Sequence, residues 1–198
     1  MTRWPGSGPD DVVAIGDVVV RRAQPSDAAA YSRADARMVG DTYASLMPPQ
    51  FAADRWDEVD RLTGERRREF AEALEAERRG EEPPRRTWVA TQAGDIAGIA
   101  VSTAIAPSWE ASLAVEPIEG ITYQLNHLYL RPAAQGTGLG QAMLDLALPC
   151  ALPAYLWIVG GNARAERFYA RNGFVRDPVE YSCGPLWFHR PLFRMVRR

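Results

Sequence analysis

The sequence predicts a protein of the α/β class, because patterns typical of strands alternate with patterns typical of amphipathic helices. Residues 124–130 form a mostly apolar and aromatic run, which is followed by a glycine-rich turn and then by helical periodicity. A second strand pattern followed by a helix pattern covers residues 155–171. A chain of 198 residues with 46% hydrophobic content can also bury a sizeable core as one unit.

Domain organisation is expected to be simple. Residues 1–17 are rich in Gly, Pro and Asp and are expected to form a flexible leader. Residues 18–198 are expected to form a single domain.

Within this domain, periodicity and turn residues place the elements in order. Helical patterns begin after Ser26-Asp27 and continue to about residue 39, and then run with interruptions from residue 50 to about residue 79. Two strands flank Ala93-Gly94-Asp95, so a hairpin is expected there. Further helices are expected after the glycine-rich turn and over residues 163–171. The strand patterns cover residues 18–23, 87–92, 96–105, 124–130, 155–159 and 191–198.

Composition excludes several functional classes. The net charge of −2 gives no general attraction to nucleic acid or to an anionic membrane, and no apolar run is long enough to span a bilayer. Cys150 and Cys183 have no metal-binding or redox spacing, so a soluble cytoplasmic protein without a metal site is expected, as a monomer or a homodimer. A run of basic residues is interpreted as a solvent-exposed helix face paired with nearby glutamates: Arg66, Arg67 and Arg68.

The glycine-rich turn over residues 135–140 predicts an anion-binding site. Backbone N–H groups and the positive end of a helix dipole converge where a strand passes through such a turn into a helix. A Walker motif is excluded because all 23 basic residues are Arg, so there is no Lys to reach a phosphate. A dinucleotide fingerprint is weak, because Gln141 stands where its third Gly belongs. We interpret the turn as a pyrophosphate site.

Two blocks of the sequence resemble motifs of the GNAT superfamily of N-acetyltransferases. The first block consists of a Leu-Tyr-Leu-Arg-Pro run followed by Gln135, Gly138 and Gly140. The second block contains the motif residues Asn162, Ala165, Phe168, Tyr169, Gly173 and Phe174. Their order and spacing match those of the family. The resemblance implies an α/β GNAT fold, with a mixed central sheet of about six to seven strands flanked by helices.

The resemblance also implies that acetyl-CoA is the cosubstrate. The turn would hold its pyrophosphate, and a strand over residues 128–130, splayed from the strand at 155–159, would pair with its pantetheine arm. A backbone N–H of that strand would stabilise the negative charge that develops on the thioester oxygen. No metal is expected. The residues implied in binding are Leu128, Tyr129, Leu130, Gln135, Gly136, Thr137, Gly138, Leu139, Gly140 and Asn162.

Two residues are candidates for proton transfer. The resemblance implies that Tyr169 is the general acid to the leaving sulfur, and an ordinary phenol keeps its proton at neutral pH. The family often places a glutamate base near the start of the fourth strand, but here that region offers only Gln124, Asn126 and His127. His127 is therefore a candidate base, although a lone His in an apolar strand is more often a core residue. A water chain and three glutamates of the preceding loop are equally open: Glu110, Glu116 and Glu119.

The expected function is direct transfer of an acetyl group to a primary amine in a ternary complex. The acceptor would be a small molecule or a peptide, and the scaffold alone does not choose between them. Transfer of a longer acyl group is one alternative. A catalytically idle CoA-binding or regulatory module is another, because the strand lacks the usual carboxylate. Scattered aromatic residues are candidates for an acceptor pocket: Tyr31, Tyr43, Trp109, Tyr123, Trp157 and Trp187.

Overall fold

A computed structural model describes residue 10 and residues 12–104, 106–148 and 152–198 of the chain, and places the strands in one mixed sheet. The strands are β1 (Val12–Ile15), β2 (Val18–Arg22), β3 (Arg85–Gln92), β4 (Asp95–Thr103), β5 (Tyr123–Leu130), β6 (Ala154–Val159), β7 (Val175–Ser182) and β8 (Pro191–Arg197). The helices are α1 (Ala28–Tyr43), α2 (Pro49–Asp57), α3 (Val59–Arg78), α4 (Leu139–Ala147) and α5 (Ala163–Arg171). None of the helices in this part of the chain is long and apolar enough to cross a bilayer.

The sheet has the strand order β1-β2-β3-β4-β5-β6-β8-β7. All neighbouring strands are antiparallel except β5 and β6, which are parallel because α4 connects them. Successive residues of a strand face opposite sides of the sheet. Trp88 accordingly packs with Leu139 and Met143 of α4, whereas Val89 packs with Tyr31 of α1 and Phe70 of α3. The sheet is therefore covered on both faces, by α1 and α3 on one and by α4 on the other.

The α/β class and the mixed sheet flanked by helices are confirmed, but the sheet has eight strands instead of six to seven. The two strands that the sequence did not indicate are the two edge strands, β1 and β7. Neither strand contains a fully buried residue: β1 is an apolar run of only four residues, and β7 consists mostly of polar and charged residues around Pro178. In β7 the register also shifts between Arg176 and Glu180, around Pro178, which is a typical position for Pro in an edge strand.

The prediction of a flexible leader over residues 1–17 is wrong for Val12–Ile15, which pairs with Val18–Arg22 as an antiparallel edge strand. Gly16 has a φ of 62°, which suits the tight turn between these two strands. The remaining leader residues 1–9 and 11 lie outside the described residues, as do Ile105, predicted to end a strand, and Cys150. The extent of the single domain remains a prediction.

A β-bulge in β5 decides where the functional side chains point. Val101 of β4 pairs with His127, and the next residue, Ser102, pairs with Leu125, so Asn126 is an extra residue in the ladder. Leu125 and Leu128 therefore pack on the same face of the sheet, although they are three residues apart. The opposite face receives Gln124 before the bulge, and His127 and Tyr129 after it.

Candidate active site

The parallel strands β5 and β6 separate immediately after they begin to pair. Their register runs from Tyr123 opposite Ala154 to Leu125 opposite Leu156, and stops there. The later part of β5 keeps its partner β4 on one side, but on the other side its backbone is free of β6. The splay that the resemblance implied is therefore confirmed, and two cavities meet at this opening.

The first cavity, here called the turn cleft, has a volume of about 420 Å³ and lies between the ends of β5 and β6 and the glycine-rich turn. Most of the residues implied in acetyl-CoA binding line it: Leu128, Tyr129, Leu130, Gln135, Gly136, Gly138, Gly140 and Asn162. Thr137 and Leu139 are the exceptions. The Thr137 hydroxyl donates to the carbonyl of Ala134, and the Leu139 side chain is buried in the core.

Glycine is required in the turn for its backbone conformation. Gly136 and Gly138 have φ values of 81° and 89°, in the left-handed region that L-residues with a side chain rarely adopt. A Cβ on either would meet no atom within 4 Å, so the space next to both backbones is open. Gly138 is the N-cap of α4, whose first-turn N–H groups have no partner within the helix. The turn thus presents backbone donors to an open cleft and is not filled by the protein's own side chains.

One arginine is held at the rim of the turn cleft. The guanidinium of Arg164, in α5, donates to the side-chain oxygen of Gln135, whose amide nitrogen donates to the Leu130 carbonyl at 3.1 Å. Gln135 therefore connects the end of β5 to α5 across the mouth of the turn. This arrangement adds a positive charge to the backbone donors, which favours an anion.

Three tyrosines meet at the opening between β5 and β6. Tyr169, in α5, lines the turn cleft, while Tyr43 and Tyr129 line both cavities. The Tyr43 hydroxyl hydrogen-bonds Tyr129 and the amide of Asn162, which also caps α5 by accepting from the Ala165 N–H at 3.2 Å. Burial raises the pKa of Tyr169 well above its usual range, and the nearby Tyr43 adds to the effect. Tyr169 therefore keeps its proton at any pH at which the protein operates.

The second cavity, here called the loop pocket, has a volume of about 930 Å³ and lies on the opposite face of the sheet. It is enclosed by the sheet, by α3, and by two loops that contain the short turns Ser108–Leu113 and Pro185–Trp187. Residues of β5 that line both cavities connect them: Leu125, Asn126, His127 and Tyr129. Trp109, Trp157 and Trp187, which were candidates for an acceptor pocket, do line it.

Glu110 carries a carboxylate that is held by side chains of β5 and β6, next to the point where these strands separate. Its oxygens accept hydrogen bonds from Gln124 of β5 at 2.7 Å and from the indole N–H of Trp157 at 2.7 Å. The Tyr155 hydroxyl also donates, at 3.1 and 3.2 Å. Desolvation nevertheless raises the pKa of Glu110 above its usual value, although these donors act in the opposite sense. Of the three open glutamates, this one is fixed beside the strand that lacks a carboxylate.

His127 is partly buried beside two arginines. Burial, and secondarily the charges of Arg85 and Arg66, lower the pKa of its imidazole to about 3. Its Nδ1 atom has no hydrogen-bond partner. The ring is therefore neutral near pH 7, and its conjugate acid is too strong to retain a proton taken from an amine. These properties weigh against His127 as the base, a role that remains untested.

The arginine run in α3 differs from its interpretation at one position. Arg67 and Arg68 are exposed, as a solvated face requires. Arg66 is partly buried, lines the loop pocket and pairs with Glu69 at 2.6 Å. The local sequence does not distinguish Arg66 from Arg67 and Arg68. The rotation of α3 about its axis, relative to the sheet, decides which of the three side chains points towards the loop pocket. Among the described residues, no group of three or more His, Cys, Asp or Glu side chains is arranged to hold a metal.

Residues 83–176 match the family model described as the acetyltransferase (GNAT) domain. The fold resembles PaiA N-acetyltransferase from Thermoplasma acidophilum, solved in complex with coenzyme A, with a TM-score of 0.62 at 14% identity over 89% of this chain and 97% of that one. An acetyltransferase from Thermus thermophilus gives a TM-score of 0.54 at 19% identity over 93% and 99% of the two chains. An N-acetyltransferase from Staphylococcus aureus gives 0.54 at 15% identity over 89% and 98%. No curated protein matches the chain.

The matched segment contains both sequence blocks that carry the resemblance, and the fold similarity extends over most of the chain. Residues 83–176 therefore carry a GNAT acetyltransferase domain, and this match, with the acetyltransferases of the same fold, supports an acyltransferase enzyme.

Proposed function

We propose that this protein transfers an acetyl group from acetyl-CoA directly to a primary amine, with both substrates bound at once. The observation that carries the proposal is the opening between β5 and β6, which adjoins the backbone donors of the turn cleft and is lined by Trp157, whose indole N–H donates to Glu110. A donor in the turn cleft and an amine in the loop pocket would meet at this opening. Direct attack needs no covalent intermediate on the protein.

The turn cleft fits acetyl-CoA for three reasons. Open backbone donors at Gly136 and Gly138, together with Arg164, suit the pyrophosphate. The unpaired edge of β5 suits the pantetheine arm, whose amides would add to the sheet as a further strand. Residues 128–130 supply this edge. One of their N–H groups would stabilise the oxyanion of the tetrahedral intermediate.

In the proposed reaction, the unprotonated amine nitrogen attacks the thioester carbon, and the C–S bond breaks as the amide forms. Glu110 accepts the proton that the attacking nitrogen loses, either directly or through one water. Tyr169 gives its proton to the departing thiolate, so CoA leaves as the free thiol. Glu110 replaces His127 in the base role because its pKa is raised, whereas that of His127 is lowered to about 3. Asn162 would orient the pantetheine and also hold Tyr43.

Glu110 brings a carboxylate from the loop to β5, and this weakens the alternative of a catalytically idle CoA-binding module. That alternative rests on the absence of a glutamate at the start of β5, where Gln124 stands. Gln124 donates to Glu110 at 2.7 Å, so a carboxylate is present beside that position after all. The enzyme is therefore the better-supported function.

Thiol release from acetyl-CoA across a panel of primary amines tests the proposal, with calorimetry of CoA and acetyl-CoA binding in parallel. Amine-dependent release of one thiol per acetylated product is expected. Binding of CoA with no turnover on any amine would support the idle module instead. Faster turnover with a longer acyl donor would support the other alternative. Absence of heat with both CoA and acetyl-CoA would contradict the proposal entirely.

A further inference from the structure

A row of polar side chains crosses the sheet on the floor of the loop pocket. Arg85 of β3 pairs with Thr103 of β4, Thr103 pairs with Gln124 of β5, and Gln124 pairs with Tyr155 of β6. Side chains of residues paired in this way project from the same face of the sheet. The row therefore begins at an arginine and ends at the two side chains that hold Glu110.

Arg85 is the charged member of this row and is paired only loosely, with Asp35 adding a second negative charge nearby. Its nearest carboxylate is that of Glu69, at 3.8 Å, and Glu69 is already engaged with Arg66 at 2.6 Å. Desolvation and repulsion by Arg66 lower the pKa of Arg85 from its ordinary value. Glu72 also lines this end of the pocket, but it is exposed to solvent, which screens its charge. The Arg85 side chain is 28% exposed, so an anionic ligand group in the pocket can reach this guanidinium and complete its pairing.

Three further polar atoms at this end of the pocket have no partner in the protein. They are Thr103 Oγ1, Asn126 Oδ1 and His127 Nδ1, and all three are buried. Buried polar atoms are normally hydrogen-bonded, so a group of three around one cavity points to a polar ligand. Asn126 Nδ2 already donates to Gln124, which leaves the Asn126 oxygen to accept from an amine.

The other end of the loop pocket is apolar. Trp109, Leu113, Leu186 and Trp187 line it, and Leu186 is 70% exposed to solvent. Isolated exposed apolar side chains are common, but here several border one cavity whose floor is polar. A ligand that fits both ends has an anionic group, an amine and an apolar body.

We propose that the acceptor is an amino acid with a large apolar substituent, and that Arg85 binds its carboxylate while its amine lies between Asn126 and Glu110. This assignment rests on the proposed acetyl transfer and adds its substrate class. Arg85 and Gln124 are separated by two strand spacings of about 4.8 Å each. Their side chains, together with the amine and carboxylate of an amino acid, can bridge this distance. Arg66 forms the closer ion pair with Glu69, which leaves Arg85 available to the acceptor carboxylate. Arg66 itself need not contact the acceptor.

Three matched acceptors test the assignment: phenylalanine, phenylalaninamide and phenethylamine. Their kcat/KM values are compared after correction for the fraction of unprotonated amine. Loss of one charge-assisted contact changes binding by about 10- to 100-fold, so phenylalanine is expected to exceed the other two by that factor. Arg85→Gln should abolish the preference, Arg85→Lys should restore part of it, and the exposed Arg68→Gln should leave it unchanged.

A second measurement separates this proposal from the proposed function. Quenching of tryptophan fluorescence by phenylalanine and by its amide, without acetyl-CoA, reports binding in the loop pocket, which contains Trp109, Trp157 and Trp187. A preference for the acid that depends on Arg85 would uphold the carboxylate site even if no acetyl transfer occurred. Equal binding of acid and amide by the unaltered protein, or a preference that survives Arg85→Gln, would overturn it. Unchanged acetyl-CoA affinity in Arg85→Gln confirms that the variant is folded.

Discussion

The turn cleft and the loop pocket are built in different ways, although they open onto each other. One side of the turn cleft is formed by a continuous segment, β5 and the turn that follows it, whose backbone supplies the donors, and side chains of α5 and β6 form the other side. The loop pocket is formed by side chains from elements far apart in the chain, among them Arg85, Trp109 and Trp157. Binding in the turn cleft is expected to depend on backbone conformation, and binding in the loop pocket on which side chains line it. Substitutions should therefore separate donor binding from chemistry and acceptor choice.

The substitution Glu110→Gln is expected to have the largest effect on turnover. It tests whether chemistry can be lost while donor binding in the turn cleft is kept. Turnover should fall about 10²- to 10⁴-fold, the usual contribution of a general base, with unchanged affinity for acetyl-CoA. Glu110 must be ionised to accept a proton, so kcat/KM of the unaltered protein should fall as pH drops through its raised pKa. The variant should lack this acidic limb.

Glu119→Gln, an exposed position on the same loop, is the matched control and should retain both rate and pH profile. Steady-state kinetics from pH 5 to 8 and calorimetry make the measurement. If Glu110→Gln and Glu119→Gln were equally active, the base would have to be a water chain or another group.

Tyr169→Phe should lower kcat about 10²-fold while changing the acetyl-CoA dissociation constant little, since only the proton donor is lost. Its pKa is raised, so no alkaline limb should arise from Tyr169 in the accessible pH range. Tyr181→Phe, a partly buried tyrosine outside the turn cleft, serves as the control. Equal rates for Tyr169→Phe and the unaltered protein would assign the thiolate proton to Tyr43, Tyr129 or solvent.

The backbone character of the turn cleft is tested by Gly138→Ala. Placing a side chain at a φ of 89° costs about 1–2 kcal/mol, so acetyl-CoA affinity should fall about tenfold or more as the turn shifts. Gly64→Ala, at a helical position with open space around it, should instead stabilise the protein by about 1 kcal/mol and leave affinity unchanged. Calorimetry and chemical denaturation distinguish the two. Normal affinity in Gly138→Ala would show that the turn does not bind the donor through its backbone.

The different construction of the two cavities also explains how far the sequence could be interpreted. The glycines of the turn indicate a backbone geometry, so the left-handed turn at Gly136 and Gly138 could be predicted from local pattern alone. Glu110 could only be one of three open glutamates, because its role depends on donors from two strands that lie 14 and 47 residues further along the chain. Arg85 had no local signal at all, since its place on the floor of the pocket follows from strand register. Edge strand β7 was missed because it is mostly polar and interrupted by Pro178, and β1 because it is a run of only four apolar residues within the segment expected to be a leader.

The last expected effect concerns the stability of the protein, not its turnover, and follows from the partial burial of His127. Its folded-state pKa of about 3 lies below its unfolded value of about 6.5, so the unfolded chain takes up a proton first as pH falls. Stability should therefore decrease from pH 6.5 towards pH 3, by up to about 1.4 kcal/mol per pH unit from this group. Denaturation of His127→Gln should show a flatter dependence. His189→Gln, in an exposed loop, should leave the slope unchanged.

Asn126 affects the opening between β5 and β6, because it is inserted where their pairing ends. Because it is the extra residue of the bulge, a chain that lacked it would keep Leu125 and Leu128 on one face and Gln124 and His127 on the other. Such a chain would lose only the local bend, and β5 could continue straight alongside β6. The one-residue insertion therefore separates an open gap between β5 and β6 from continuous pairing of the two strands.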